Sequence, residues 1–522
     1  MLVKSRRGCG GWGTAAAGLV AAVVWGVSAL AAETRSPAAP PGPRPNILFC
    51  LADDWMWPHA SVAGDRVVKT PTFDRLAREG VLFPNAFVAA PSCTASRAAM
   101  LTGQWHWRLE EGVSLYGTLP AKFAVYPDLL EAAGYHVGCT RKGWGPGNVA
   151  AGGRQRNPAG PNFKDFATFL ERRPQGQPFW FWFGSLDPHR GYEWESGVKS
   201  GMKLADVTVP PYLPDCETVR KDICDYYFEV QRFDREVGEL LTLLEQRGEL
   251  DNTIVVMSGD NGWPFPRSKA TLYETGTHVP LAIRWPAQAK AGRVVEDFVS
   301  LPDLAPTFLE AAGLQPPAAM TARSLLPVLR SDKAGRVDPA RDHVLTGVER
   351  HAWGRPRGDG GFDGYPMRAL RTYDFHYIRN FRPERWPACN PNGYDEPGAQ
   401  LQTYETLAKN TFAAFADVDA SPSKAWMLLH RDEPAVKPLY ERAFGKSPGR
   451  ELYDLKKDPY QLHNVAEEPA YADVVRRLDA QLLAELTATG DPRVTGRGDL
   501  LDAYPIYGVN AGKKPAAKAR NR

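Results

Sequence analysis

The stretch Arg44-Pro45-Asn46-Ile47-Leu48-Phe49-Cys50-Leu51-Ala52-Asp53-Asp54 decides the fold. From residue 46 to residue 52 it carries no charge and little polarity, and then two acids follow in succession. An apolar run of that length, without polar alternation, fits a strand buried on both faces of an α/β sheet. Similar runs recur at 136–140, 179–185, 253–258 and 281–285. Helical patterns lie between them. Residues 73–80 read as a short helix closed by Gly80, and 219–247 as a long one. The long helix places Tyr226, Tyr227, Val230, Phe233, Val237, Leu240, Leu241 and Leu244 on one stripe. Strands alternating with helices predict a layered α/β domain with a mixed, largely parallel central sheet flanked by helices. Ligands of such sheets sit beyond the carboxyl ends of the strands.

Working outward, the 522 residues exceed what one core usually organises, so at least two packed units are expected. Domain 44–345 carries the sheet. Beyond it the composition shifts to Gly, Pro, Arg and Trp, and 346–490 reads as a smaller C-terminal α+β subdomain. Residues 491–522 read as a tail with a basic, solvated end. With 43% hydrophobic residues, 15 Trp, 22 Phe and 19 Tyr, the chain is too rich in core-forming mass to be disordered. The 63 Lys and Arg nearly balance the 60 Asp and Glu, so no global field favours nucleic acid or an anionic membrane. Seven Cys are too few for a disulfide framework in a chain of this length.

The beginning reads as an export signal. Lys4, Arg6 and Arg7 precede an apolar run at 15–30, and Ala29-Leu30-Ala31 offers a peptidase site, so 1–31 is expected to be a signal peptide. The run falls short of the ~20 residues a bilayer span needs, which argues against stable membrane insertion. A Pro-rich linker, 32–43, follows. The mature protein is expected in the periplasm or outside the cell.

Two strand ends carry chemistry. The first run ends in Asp53-Asp54, and the run at 253–258 leads into Gly259-Asp260-Asn261-Gly262. Three carboxylates and an amide make an all-oxygen set that suits Ca²⁺ or Mg²⁺ and not zinc. Asp, Asn and Gly also favour turns and helix caps, so either pair alone could be local structure. Two adjacent acids in apolar surroundings, however, need a cation to offset them. A further segment, Ser92-Cys93-Thr94-Ala95-Ser96-Arg97, opens a helical pattern. Its Cys and Arg, four residues apart, can share one face at a helix N-terminus, where anions are favoured.

Cys93-Thr94-Ala95-Ser96-Arg97 followed by Ala98-Ala99-Met100-Leu101-Thr102-Gly103-Gln104 resembles the signature of the sulfatase family, whose cysteine is oxidised to formylglycine by a maturation enzyme. The segment 44–54 resembles that family's first metal segment, 258–262 its second, and Thr140-Arg141-Lys142-Gly143-Trp144 its lysine loop. The strings at 185–190, 258–276, 364–371 and 451–459 look closest to sulfamidases, the N-sulfoglucosamine sulfohydrolases. The resemblance implies an alkaline-phosphatase-like fold and a sulfate ester or sulfamate hydrolase acting on sulfated carbohydrate, heparan sulfate included. It implies Ca²⁺ held by Asp53, Asp54, Asp260, Asn261 and the modified Cys93. It also implies catalytic roles for Arg97, Lys142, His189 and Lys269, with His189 as leaving-group acid. A formylglycine-generating or anaerobic sulfatase maturation enzyme is the implied partner.

Several positions depart from the family pattern. Ala95 stands where Pro is commonest, Arg141 where Gly is usual, and Trp144 where a second histidine is expected. Lys269 replaces the arginine of sulfamidases, and His106 is a candidate for the missing histidine. Arg190, Glu349, Arg350 and His351 are candidate contacts to the sugar and its anionic groups. Two other classes stay open: a phosphodiesterase or phosphonate monoester hydrolase of the same superfamily, and a catalytically silent carbohydrate-binding protein.

Overall fold

A computed structural model describes residues 44–396 and 401–507. The expected signal peptide, the linker and the basic end of the tail lie outside the described residues. Within them, a seven-stranded sheet is built from β1 (Asn46–Ala52), β2 (Val81–Leu82), β3 (His136–Arg141), β4 (Phe179–Gly184), β5 (Thr253–Gly259), β6 (Leu281–Arg284) and β7 (Arg293–Val294). The spatial order is β3-β4-β1-β5-β6-β2-β7. The four consecutive strands β3, β4, β1 and β5 run parallel, while β6 is antiparallel to β5 and β2. This is the mixed, largely parallel sheet expected from the apolar runs.

Alternation along each strand feeds two different cores. Leu48, Cys50, Phe179, Phe181, Val255 and Met257 enter one, which is covered by α1 (Pro71–Glu79) and the apolar stripe of the long helix Glu217–Gln246. Ile47, Phe49, Trp180, Trp182, Ile254 and Val256 enter the other. That face is covered by α2 (Cys93–Thr102), α3 (Tyr126–Ala132) and α5 (Leu304–Ala311), the long helix Glu217–Gln246 of the opposite face being α4. Burial on both faces is why these strands read as continuous apolar runs rather than alternating ones.

The second sheet is antiparallel, ordered β8 (His343–Val348), β9 (Met367–Thr372), β10 (Phe375–Asn380) and β11 (Arg450–Asp454). Strand β8 crosses the boundary drawn at 345. Between β10 and β11 the chain makes an excursion containing α6 (Tyr404–Lys409), α7 (Pro422–Leu429) and α8 (Lys437–Phe444). Phe415, Met427, Leu428 and Phe444 carry it into the first core of the large sheet. Helix α9 (Ala472–Ala488) lays Leu478, Leu482 and Leu486 over the small sheet. The expected tail starts too early: Asp491 is fully buried, α10 (Asp499–Ala503) buries Leu501, and Tyr507 N–H donates to Tyr116 O at 2.7 Å. The buried anchors Asp491 and Leu501 hold residues 491–507 onto the body.

Candidate active site

In the register of the central strands, Ala52 of β1 pairs with Gly259 of β5. Asp53-Asp54 and Asp260-Asn261 therefore leave the sheet side by side, at its carboxyl edge. Asp54 takes a left-handed φ of 77°, a conformation Asp tolerates better than most residues, and this turns the chain sharply off the strand. Its N–H donates to Asp260 Oδ1 at 3.0 Å, and Asn261 Nδ2 donates to Asp54 Oδ1 at 2.6 Å. All four side chains are buried. Cys93 is the first residue of α2, and its thiol donates to Asp53 Oδ1 at 3.4 Å and reaches Asn261 Oδ1 at 3.6 Å. One ligand atom each from Asp53, Asp54, Cys93 and Asp260 lie within 4.8 Å of one another. Carboxylates so close and so deep demand compensating charge, and the oxygen donors fit a hard divalent cation such as Ca²⁺.

Four basic side chains close on this cage. Arg97, one turn along α2, donates through Nε to Asp260 Oδ2 at 2.7 Å and through Nη1 to the carbonyls of Lys142 and Gly143 at 2.7 and 2.8 Å. Its Nη2 is buried without a hydrogen-bond partner. Lys142 follows β3, and its Nζ donates to Asp53 Oδ2 at 2.5 Å. Lys269 Nζ bridges Asp54 Oδ2 at 2.8 Å and Asp419 Oδ2 at 3.0 Å. Its loop is bent by left-handed residues on either side, Arg267 with φ 63° and Ala270 with φ 65°. His189 Nε2 lies 4.0 Å from Asp54 Oδ2. Its Nδ1 bonds Arg190 O at 2.7 Å, so Nδ1 carries the proton and Nε2 is the nitrogen turned toward the cage.

The charges set each other's protonation. Burial pushes the Asp53 carboxyl up, but Lys142, His189, Arg97 and Lys269 outweigh it and hold the group well below the usual carboxylate range. Burial works against the charged lysines too, yet Asp53 holds Lys142 above its ordinary value, and Asp419 with Asp54 does the same for Lys269. Both lysines therefore stay cationic. Burial, with Asp53 beside it, pushes the Cys93 thiol well up. As a cysteine the residue is a protonated, weakly nucleophilic thiol.

These groups line a cavity of about 830 Å³. Asp53, Cys93, Lys142, His189 and Lys269 form its floor and walls, and Arg190 and His351 also reach it. Arg190 is committed to Asp222, with Nη2 to Oδ2 at 3.0 Å, and His351 Nδ1 pairs with Ser92 Oγ at 2.9 Å. Glu349 and Arg350 do not line the cavity, contrary to the expectation that they touch the sugar. Glu349 is 2% exposed and clamped by Arg368 and Arg493 at 2.6 Å each; Arg350 donates to the carbonyls of Tyr504 and Pro505 at 3.0 and 3.1 Å. Their neighbours in sequence reach the ligand side while they themselves tie the chain end to the body. His106 likewise lies elsewhere, buried beside Trp107 with neither ring nitrogen hydrogen-bonded. Trp144 lines the cavity itself.

Asp419, Tyr116 and Phe412 line the cavity and were not singled out in the sequence. Asp419 sits in Ala416-Asp417-Val418-Asp419-Ala420, which has no strand-tip or helix-start pattern. Burial pushes its carboxyl up, but Lys269, His189 and His351 hold it below the usual range. All six cysteines among the described residues are free thiols.

The sulfatase family model matches residues 45–156 and 158–314. An ulvan-active sulfatase of Formosa agariphila is 29% identical over 504 residues, covering 88% of this chain and 77% of the relative. Human N-sulphoglucosamine sulphohydrolase is also 29% identical over 504 residues, covering 88% of this chain and 93% of its own length. Among solved structures, a phosphonate monoester hydrolase of Silicibacter pomeroyi shares the fold with a TM-score of 0.61 at 18% identity, covering 86% of this chain and 97% of that one.

Proposed function

The chain belongs to the sulfatase family, and from that premise we propose that it hydrolyses sulfate esters or sulfamates of carbohydrates, through formylglycine made from Cys93 beside a bound calcium ion. The observation that carries this reading is the buried cage of Asp53, Asp54, Asp260 and Asn261 around Cys93, opening on one cavity with Lys142, His189 and Lys269. Sulfated sugars are the substrates named for the ulvan-active and N-sulphoglucosamine relatives' class of enzyme, and export through residues 1–31 would bring the protein to such polymers.

A sulfate monoester keeps its negative charge at ordinary pH and repels nucleophiles, so the site must neutralise it locally. Lys142 and Lys269, both held cationic, grip sulfate oxygens. Arg97 orients residue 93 and balances Asp260. His189, its Nδ1–H held by the Arg190 carbonyl, acts as the acid in its imidazolium form, in which Nε2 also bears a proton that it gives to the departing oxygen or nitrogen. Calcium in the cage supplies Lewis-acid stabilisation of charge, and formylglycine supplies a hydrated aldehyde whose second hydroxyl lets sulfate depart, which a thiol cannot do. The conversion of Cys93 requires a formylglycine-generating or anaerobic maturation enzyme as partner.

The test is incubation of enzyme co-expressed with a maturation enzyme with N-sulfated heparin disaccharides and ulvan oligosaccharides, scoring free sulfate and the new amine or hydroxyl. Sulfate release matched by one of these groups is expected, together with a residue-93 peptide lighter than its cysteine form. Faster turnover of bis(4-nitrophenyl) phosphate or phosphonate monoesters than of any sulfated substrate would instead favour the phosphoryl hydrolase of the same fold.

A further inference from the structure

A second cavity of about 620 Å³ opens beyond the catalytic one. The two share His189, Arg190, Gly191, Thr411 and Asp419 as a common wall, so the second begins where the leaving group would depart. We propose that this chamber holds the sugar residue next to the sulfated one, so that the enzyme acts on oligosaccharides in preference to monosaccharides and favours an anionic neighbour. The inference rests on the carbohydrate sulfatase reading above and adds the size and charge of its substrate.

The chamber is built rather than incidental. Its partition is rigid: Arg190 is sandwiched over Tyr192 and Phe265 at 4.7 and 4.3 Å, bonds the Pro264 carbonyl at 3.0 Å and pairs with Asp222. Asp222 in turn accepts from Ser423 N at 3.2 Å, tying the partition to α7. Tyr192, Trp194 and Tyr404 of α6 are among its lining residues. Aromatic faces of this kind suit the C–H faces of a sugar ring, and each chamber falls in the range of pockets that enclose a small ligand. Trp194 is 41% exposed, a large apolar side chain left open to solvent at the chamber's lip.

Charge selects the occupant. Asp222 is neutralised by Arg190, and Asp225 spends its oxygens on the N–H groups of Glu195 and Gly197 at 2.9 Å each. Asp419, at the junction, shares Lys269 with Asp54 and faces the catalytic cage. Lys409, exposed at the end of α6, lines the chamber without an acidic partner among the described residues. A uronate carboxylate or a second sulfate on the neighbouring sugar matches that ammonium.

The experiment compares kcat/KM for sulfate release by matured enzyme from a sulfated monosaccharide and from the di- and tetrasaccharides bearing the same sulfated residue, drawn from the heparin or ulvan series. A rise of at least about tenfold from monosaccharide to disaccharide is expected. In Trp194→Ala and Tyr404→Ala the ratio of disaccharide to monosaccharide should fall toward one. Lys409→Ala should reduce the preference for a disaccharide whose second sugar is anionic over one whose second sugar is neutral. A ratio near one in the parent enzyme, or an unchanged ratio in both aromatic variants, overturns the proposal. Absence of sulfate release from every sugar is a separate outcome, which overturns the functional reading and this inference with it.

Discussion

Asp260 joins the two halves of the site: one oxygen takes the Asp54 N–H at 3.0 Å and the other takes Arg97 Nε at 2.7 Å. Replacing it by Ala removes one of the proposed cation ligands and strands Arg97, already short of a partner for Nη2, in a buried position. We predict that Asp260→Ala lowers kcat by at least roughly 10²–10³-fold and leaves less than stoichiometric calcium on the purified protein by elemental analysis. Parental turnover after exhaustive chelation would remove calcium from the scheme. The residues of this cage were legible in the sequence because each follows an apolar run, so strand ends and acids are read together. Asp419 was not legible. It approaches Lys269 from 150 positions further along the chain, through an excursion whose placement depends on tertiary packing of Phe415 and Phe444.

At the scale of elements, strand registry does the positioning. Arg141 at the tip of β3 lies opposite Gly184 at the tip of β4, and Lys142 N–H donates to Gly184 O at 3.0 Å. The approach is so close that a Cβ on Gly184 would stand 1.7 Å from the Lys142 carbonyl oxygen. That carbonyl also receives Arg97 Nη1 and the Trp182 indole at 2.7 and 3.2 Å. Gly184→Ala must therefore push the lysine loop off the cage. Its expected effect is a loss of kcat of roughly 10²-fold or more, in the range of removing a charge-stabilising group, together with a lower melting temperature. Gly449→Ala, where a Cβ meets nothing within 4 Å, is the control that should melt and turn over as the parent does. The five longer strands of the large sheet and the long helix are readable to within one or two residues, since burial on both faces leaves an unbroken apolar signature, whereas the two-residue strands Val81–Leu82 and Arg293–Val294 are too short to leave one. The small sheet is legible only as a subdomain, and the ordered stretch 491–507 reads as tail because its anchors are isolated contacts, the Asp491 ion pair, the buried Leu501 and the Tyr507 N–H, which leave no periodic pattern.

Across the whole molecule, buried charge fastens the chain end to the small sheet. Arg368 of β9 is fully buried and bonds Asp491 Oδ2 and Glu349 Oε1 at 2.6 Å each, while Arg493 takes the other oxygen of Glu349 at 2.6 Å. Two residues beyond Glu349, His351 reaches across to Ser92, the residue that precedes α2 and Cys93. The same joint thus holds the chain end, the small sheet and one wall of the cavity. Breaking a buried pair from one side leaves an uncompensated charge, a loss of about 3–5 kcal/mol in comparable cases. Glu349→Ala should accordingly lower the melting temperature and depress kcat/KM for every sulfated substrate by a similar factor, because His351 and the nucleophile helix lose a common support. A direct sugar contact would do the opposite, leaving the melting temperature near the parent value and changing the ratio of kcat/KM between two sugars. Measuring both quantities on the same preparation, with a heparin disaccharide and an ulvan oligosaccharide, separates a residue that holds the cavity in shape from one that reads its contents.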